Sequence, residues 1–237
     1  DHAVKFIEKA AGGEKPFFLY AAYSAPHWPL HAKPEDVAKY RDLYAQTGWD
    51  RLRAQRRRRL VESGLIDARW AAGTRDPRVP AWEQAEHKAW EAERMAVYAA
   101  QIDCLDQNVG RLLEAIRRAG AEQNTLVLFL SDNGASDAGA PAEAPDRPGS
   151  PWCVDGTSVR FGNRPEIMPG GADTFATYGP PWAQVSDTPF RGYKSGCYEG
   201  GIATPLIACW PGVIKQAGQI THQPGHVMDM MATCLDV

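Results

Sequence analysis

Apolar residues along the chain come in short blocks separated by turn residues and one long polar stretch. Val4, Phe6 and Ile7 punctuate residues 1–10, a spacing that predicts the end of a helix, closed by Gly12 and Gly13. Residues 16–23 (PFFLYAAY) form an apolar run bounded by turn signals and predict a buried strand. Pro26 and Pro29 make a loop of the residues that follow, 24–31. Residues 33–95 are polar and irregular and read as helical excursions over a surface, with six arginines among residues 51–59. Met95, Tyr98, Ile102, Leu105, Val109, Leu112 and Ile116 then recur at spacings of three and four, which is one buried stripe on a helix ended at Gly120. Residues 125–130 (TLVLFL) are a second apolar strand, running straight into Ser131-Asp132-Asn133-Gly134. Residues 135–182 are rich in Gly, Pro and Ala without periodicity and read as a long loop or lid-like insertion. A third strand is predicted at 205–210, and a closing helix at 226–235.

Buried strands alternating with helices predict an α/β protein with a largely parallel sheet covered on both faces. In such sheets the chemistry gathers beyond the carboxyl ends of the strands. The loops at 27–31 and 132–134 both sit at such ends.

Composition narrows the classes. The chain has 237 residues, 44% hydrophobic and 23% charged, in the ordinary globular range and enough for one or two domains. The net charge of −3 gives no whole-chain attraction to nucleic acid or anionic lipid, so the arginine run reads as a solvated helix face. No apolar run reaches the roughly 18 residues that suggest a membrane span. The five cysteines, Cys104, Cys153, Cys197, Cys209 and Cys234, form no C-x-x-C pair. The chain opens on Asp1 with no basic and apolar leader, as expected of a processed protein or of a piece of a longer one.

Four places carry candidate chemistry. Asp132 and Asn133 offer hard oxygen ligands suited to Ca²⁺ or Mg²⁺, although Asp-Asn-Gly is also ordinary turn chemistry. His27, between Pro26 and Trp28, is placed to donate a proton or bind an anion, or to make a structural hydrogen bond. His31 has the same options. Lys194 lies in a glycine-punctuated loop and can hold a tetrahedral anion as a point charge, or be a solvated surface lysine.

In order along the chain, the pieces APHWPL (25–30), DCLDQNVGRLL (103–113), LFLSDNGA (128–135), TPFRGYKSGCYEGGIATP (188–205) and residues 225–236 resemble the sulfatase family, within it the bacterial arylsulfatase-like enzymes. The resemblance implies an alkaline-phosphatase-like fold, a mostly parallel sheet sandwiched by helices, incomplete at both ends. Residues 1–237 are then a partial catalytic domain, with insertions at 40–90 and 136–182. It also implies hydrolysis of aryl or carbohydrate sulfate esters with a divalent cation, commonly Ca²⁺, and a formylglycine nucleophile made from a cysteine. Asp132 and Asn133 match the family's late metal-ligand pair. His27 matches the histidine at the sulfate and leaving group, and Lys194 the sulfate-binding lysine.

Two family features are absent from the sequence: the C-x-P-S-R or C-x-A-x-R nucleophile motif, and the early Asp-Asp metal ligands, both expected upstream of residue 16. The 237 residues are therefore expected to be inactive alone. Phosphodiesterases and phosphonate monoester hydrolases of the same superfamily use much the same cation, lysine and histidine, and a non-catalytic anion- or carbohydrate-binding scaffold is a further alternative. The resemblance places the protein in the periplasm or outside the cell.

Overall fold

The computed structural model describes residues 1–142 and 151–237. Its chain order is α1 (His2–Ala10), α2 (Pro34–Ala38), α3 (Arg41–Glu62), α4 (Lys88–Arg118), β1 (Val127–Leu130), β2 (Arg160–Phe161), β3 (Thr174–Phe175), α5 (Gly179–Ser186), α6 (Glu199–Ile202), β4 (Leu206–Cys209) and α7 (Asp229–Asp236).

Helix α4 is the spine. At 31 residues it is about 46 Å long, and α1, α2 and α3 all pack against it. It starts seven residues before the predicted stripe, because Trp90, Ala92, Ala96, Val97 and Ala100 add a buried face of mostly small residues. Small side chains let the neighbouring segments approach its backbone closely. The main core gathers there, with Leu30, Val37, Tyr44, Trp49, Val79, Tyr178, Trp182 and Val185. A satellite core at the other end joins Ile7 to Ala115 and Ile116, with Leu19 packed against it.

Residues 41–62 are more than a surface excursion. Tyr44 and Trp49 insert into the main core, where their rings meet Trp182 edge-on at 5.7 and 5.5 Å. Gly48 breaks α3 with φ of 66°, and an added Cβ there would collide with the Trp82 ring. The arginine run does structural work. Arg53 donates to the carbonyl of Gly73, and Arg57 donates to those of Ala68 and Trp70 at 3.0 and 2.7 Å, stapling the following loop to the helix. The segment 136–182 also holds more order than its composition predicts. It contains β2, β3 and the start of α5, whose Trp182 is fully buried. Residues 143–150 of that segment lie outside the described residues.

The strands differ from expectation in two ways. β1 and β4 pair antiparallel, in register Val127↔Cys209 to Leu130↔Leu206, while the short β2–β3 pair is parallel. Residues 16–23 form no ladder with any described residue. Their burial alternates with the period of a strand: Phe17 and Leu19 turn inward, whereas Phe18 and Tyr20 are 64% and 81% exposed. The alternation is intrinsic to the sequence, but a strand exists only where a neighbour pairs with it in a ladder, and none does among the described residues. The five cysteines are all free thiols.

A two-stranded sheet with an uncovered apolar face is marginal in water. Phe129, Leu206 and Ile207 of that sheet are exposed together with Phe18 and Tyr20. Residues 1–237 expressed alone are therefore expected to bind the dye ANS strongly and to self-associate on size-exclusion chromatography. Phe18→Ser with Tyr20→Ser should reduce both. A monomer that does not bind the dye would contradict this account of the surface.

Candidate active site

The site is built where β1 ends. Ser131, Asp132, Asn133 and Gly134 leave the strand, and the hairpin of residues 188–201 closes over them. The join is almost entirely backbone. Gly134 N–H donates to Gly201 O at 3.0 Å, Lys194 N–H donates to Ala135 O at 2.8 Å, and Thr204 Oγ1 donates to Ser131 O at 2.9 Å. The chains approach so closely that a Cβ on Gly134 would overlap Gly200 O, and one on Gly200 would overlap Gly192 O. Glycine is required at these positions by contact rather than by dihedral angle. Ser195, directly after Lys194, adopts φ of 71°, a strained left-handed turn for a residue with a side chain.

Asp132 is exposed, and among the described residues its carboxylate has no hydrogen-bond or ion-pair partner. Asn133 donates its Nδ2 to Gly134 O at 2.9 Å, which leaves Oδ1 available as an acceptor or ligand. Among the described residues no group of three or more His, Cys, Asp or Glu gathers that could hold an ion. Asp132 and Asn133 offer two hard oxygens, fewer than the six to eight that a Ca²⁺ shell takes. Lys194 is half-buried, and among the described residues no carboxylate lies within ion-pair distance of its ammonium.

His27 stands on a separate loop. Its Nδ1 donates to Trp28 O at 2.6 Å; a carbonyl only accepts, so Nδ1 carries the hydrogen and Nε2 is left to hold or move a proton. Its ring tilts against Trp28, which meets Phe175 edge-on at 5.6 Å. Leu30 N–H donates to Ala176 O at 3.0 Å, and His31 donates Nε2–H to Thr174 O at 2.7 Å. His31 is therefore the structural histidine of the pair. Thr177 Oγ1 in turn donates to Ala138 O at 2.7 Å, four residues beyond Gly134. The structure sets the Asp132-Asn133 and Lys194 loops side by side, through the bond from Lys194 N–H to Ala135 O two residues beyond Asn133. It ties His27 to them through residues 174–177, with no direct hydrogen bond or ion pair from His27 to the other three.

One site residue escaped the sequence reading. Asp187 is buried, and its Oδ1 accepts Ala135 N–H at 2.8 Å while Oδ2 has no partner among the described residues. Ala135 is therefore held at both its N–H and its carbonyl by residues 187–194, through Asp187 and Lys194. Burial raises the Asp187 carboxyl to about 7, partly opposed by the Ala135 hydrogen bond and the Arg56 charge. Its only local signal is an acidic residue in a turn before Thr188-Pro189.

Helices and small sheets define an α/β protein, with the Asp132-Asn133 and Lys194 loops side by side and His27 on a separate loop. The chain belongs to the sulfatase family: that family's sequence pattern, described as Sulfatase, matches residues 1–237. Membership brings the alkaline-phosphatase-like α/β fold. An uncharacterized sulfatase of Schizosaccharomyces pombe is 35% identical over 240 residues, covering 99% of this chain and 42% of that protein. The arylsulfatase of Klebsiella aerogenes is 32% identical over 239 residues, covering 95% of this chain and 47% of its own length. The chain thus spans about half the length of these curated relatives. A solved structure titled Ps i-CgsB in complex with k-i-k-neocarrahexaose matches with 22% identity and a TM-score of 0.44, over 89% of this chain and 26% of that one.

Two expectations follow. Gly134→Ala should destabilise the protein by about 1–3 kcal/mol through overpacking, read as a lowered melting temperature. For Asp187, the raised carboxyl means the native state holds a proton that the unfolded chain releases between about pH 4 and 7. Stability is therefore lost as pH rises through that window. With metal removed by EDTA, Asp187→Asn should flatten the fall and melt above wild type at pH 8. A parallel pH profile for the variant would contradict the assignment.

Proposed function

We propose that the protein hydrolyses sulfate esters, aryl or carbohydrate, with Lys194 and His27 at the substrate and Asp132 and Asn133 at a divalent cation. Membership in the sulfatase family supports the reaction class. The observation that carries the residue assignment is the bond from Lys194 N–H to Ala135 O. It fastens the lysine loop to the strand exit that carries Asp132 and Asn133, which supports assigning the ammonium and the oxygen donors to one site.

Sulfate ester cleavage builds negative charge on the bridging oxygen. Lys194, with no carboxylate within ion-pair distance among the described residues, binds the sulfuryl group as a point charge. His27, with Nε2 free, supplies the proton to the departing alkoxide or phenoxide. Ca²⁺, with Mg²⁺ as the other candidate, would be held by Asp132 and Asn133 and, when bound, would polarise the sulfuryl oxygens. The family's formylglycine nucleophile is expected from outside these residues, since none of the five cysteines sits in the required motif. The 237 residues alone are accordingly inactive in this reading. No helix among the described residues is long and apolar enough to cross a membrane, and by family likeness the protein works in the periplasm or outside the cell.

The test uses the full-length protein on 4-nitrophenyl sulfate and bis(4-nitrophenyl) phosphate, with Ca²⁺ or with EDTA. Sulfate turnover should exceed phosphodiester turnover and fall in EDTA. Lys194→Ala should lower kcat/KM for the sulfate by about 100-fold or more. His27→Ala should cost more on an alkyl sulfate than on 4-nitrophenyl sulfate, whose leaving group needs no proton. Faster phosphodiester turnover would move the protein to the phosphodiesterase branch. Binding of sulfated sugars without turnover would make it a binding scaffold.

A further inference from the structure

Beside the Lys194 hairpin lies a cavity of about 290 Å³, formed between residues 74–78 and the 191–198 arm. Its two walls are fastened to each other. Gly73 N–H donates to Pro189 O at 2.7 Å, Gln184 Nε2 donates to Thr74 O at 3.2 Å, and the Tyr193 hydroxyl donates to Asp76 Oδ2 at 3.0 Å. Three guanidinium groups, of Arg75, Arg78 and Arg191, line it together with the rings of Tyr193 and Tyr198.

The charges are not equivalent. Arg75 pairs with Asp50 at 2.5 Å, and Arg78 pairs with Asp76 and Asp137 at 2.6 and 2.8 Å. The Asp76 carboxylate facing the cavity is thus neutralised by Arg78 and the Tyr193 hydroxyl. Arg191 has no carboxylate partner among the described residues. Its guanidinium lies 4.0 Å from the centroid of the Tyr198 ring, a stack that holds the cation flat at the cavity wall without cancelling its charge. Gly200 N–H donating to Arg191 O at 2.9 Å fixes the base of the arm. One loop therefore carries two cations three residues apart, Lys194 and, at the cavity, Arg191, each without a carboxylate within ion-pair distance among the described residues.

Resting on the sulfate-ester reading above, we infer that this cavity is a subsite for the leaving portion of the substrate, a saccharide bearing a second anionic group that pairs with Arg191 while a sugar face lies on Tyr198. Sulfate and carboxylate share the chemistry that a guanidinium fork recognises. Tyrosine rings offer the flat, amphipathic surface that a sugar ring covers. A substrate with a single anionic group would satisfy Lys194 and leave Arg191 unused.

The experiment compares the full-length protein with its Arg191→Gln and Arg191→Lys variants on three sulfate esters. These are 4-nitrophenyl sulfate, a disaccharide with two sulfates, and a monosulfated disaccharide with a uronate carboxylate. The readout is the ratio of kcat/KM on each two-anion sugar to that on the aryl sulfate. Arg191→Gln should lower that ratio about tenfold for at least one of the sugars, and raising the salt should lower it in wild type. Arg191→Lys, which keeps the charge and loses the stacked fork, should recover only part. A loss confined to the disulfated sugar identifies sulfate as the second group, and one confined to the uronate identifies carboxylate. An unchanged ratio for both sugars overturns the subsite while leaving the sulfatase reading intact. If wild type cleaves no sulfate ester, that reading fails, and calorimetry with the same two-anion disaccharides decides the subsite. Equal affinities for wild type and Arg191→Gln then overturn it.

Discussion

The candidate site depends on a guanidinium that takes no part in it. Arg94, on the buried face of α4, is 4% exposed and donates Nε–H to Thr177 O at 2.8 Å and Nη1–H to the Glu91 carboxylate at 3.0 Å. Burial alone pushes Arg94 down and Glu91 up, and each holds the other in its charged form. A buried charge is tolerated only when paired and hydrogen-bonded on its remaining donors. Trp90 stacks against the guanidinium at 4.4 Å, and Trp182 donates Nε1–H to Glu91 O, so both tryptophans lock the pair to the helix. Gly179 approaches so closely that a Cβ would press on the Arg94 guanidinium.

What Arg94 fixes is the segment around Thr177, and that segment is a junction. Thr174 O receives His31, Ala176 O receives Leu30, Phe175 abuts Trp28, and Thr177 Oγ1 reaches Ala138. The His27 loop and the chain beyond Asp132-Asn133 are therefore positioned against one strip of backbone. The strip is anchored to the longest helix by a charge that has nowhere else to go. On its other side the β1 end is held to the Lys194 hairpin by glycine contacts and by Asp187. The result is a site whose relative positions are set mostly by backbone, with side chains free to face a ligand.

This division explains what the sequence disclosed. Local period and turn chemistry identified α4, the β1 and β4 strands, the Asp-Asn-Gly exit and the lysine loop, because each is written in consecutive residues. The pairing of β1 with β4 was not legible: two apolar runs of four residues carry no mark of direction, and 75 residues separate them. Residues 16–23 show the same limit from the other side, since Phe17 and Leu19 turn inward on schedule without a strand partner. Trp49 was hidden by its neighbours. An arginine-rich segment with a weak apolar period looks like a solvated face until a glycine kink turns two aromatic residues into the core. Asp187 was hidden by its context, because an acid in a turn reads as ordinary until the fold buries it.

Charge shows the same contrast between whole chain and locality. A net charge of −3 gives no overall attraction for an anion, and within the run at residues 51–59 Arg53 and Arg57 direct donors to loop carbonyls. Arg75 and Arg78 are neutralised by carboxylates brought from Asp50, Asp76 and Asp137. Among the described residues, Arg191 and Lys194 of the 188–201 segment have no carboxylate within ion-pair distance. Exposed ion pairs contribute little to stability, so the chief consequence of the pairing around the cavity is spatial: it removes competing charge. On the subsite inference, a dianionic ligand would meet positive charge at two points of one loop, and the distance between those points, rather than the protein's net field, would set which ligands fit.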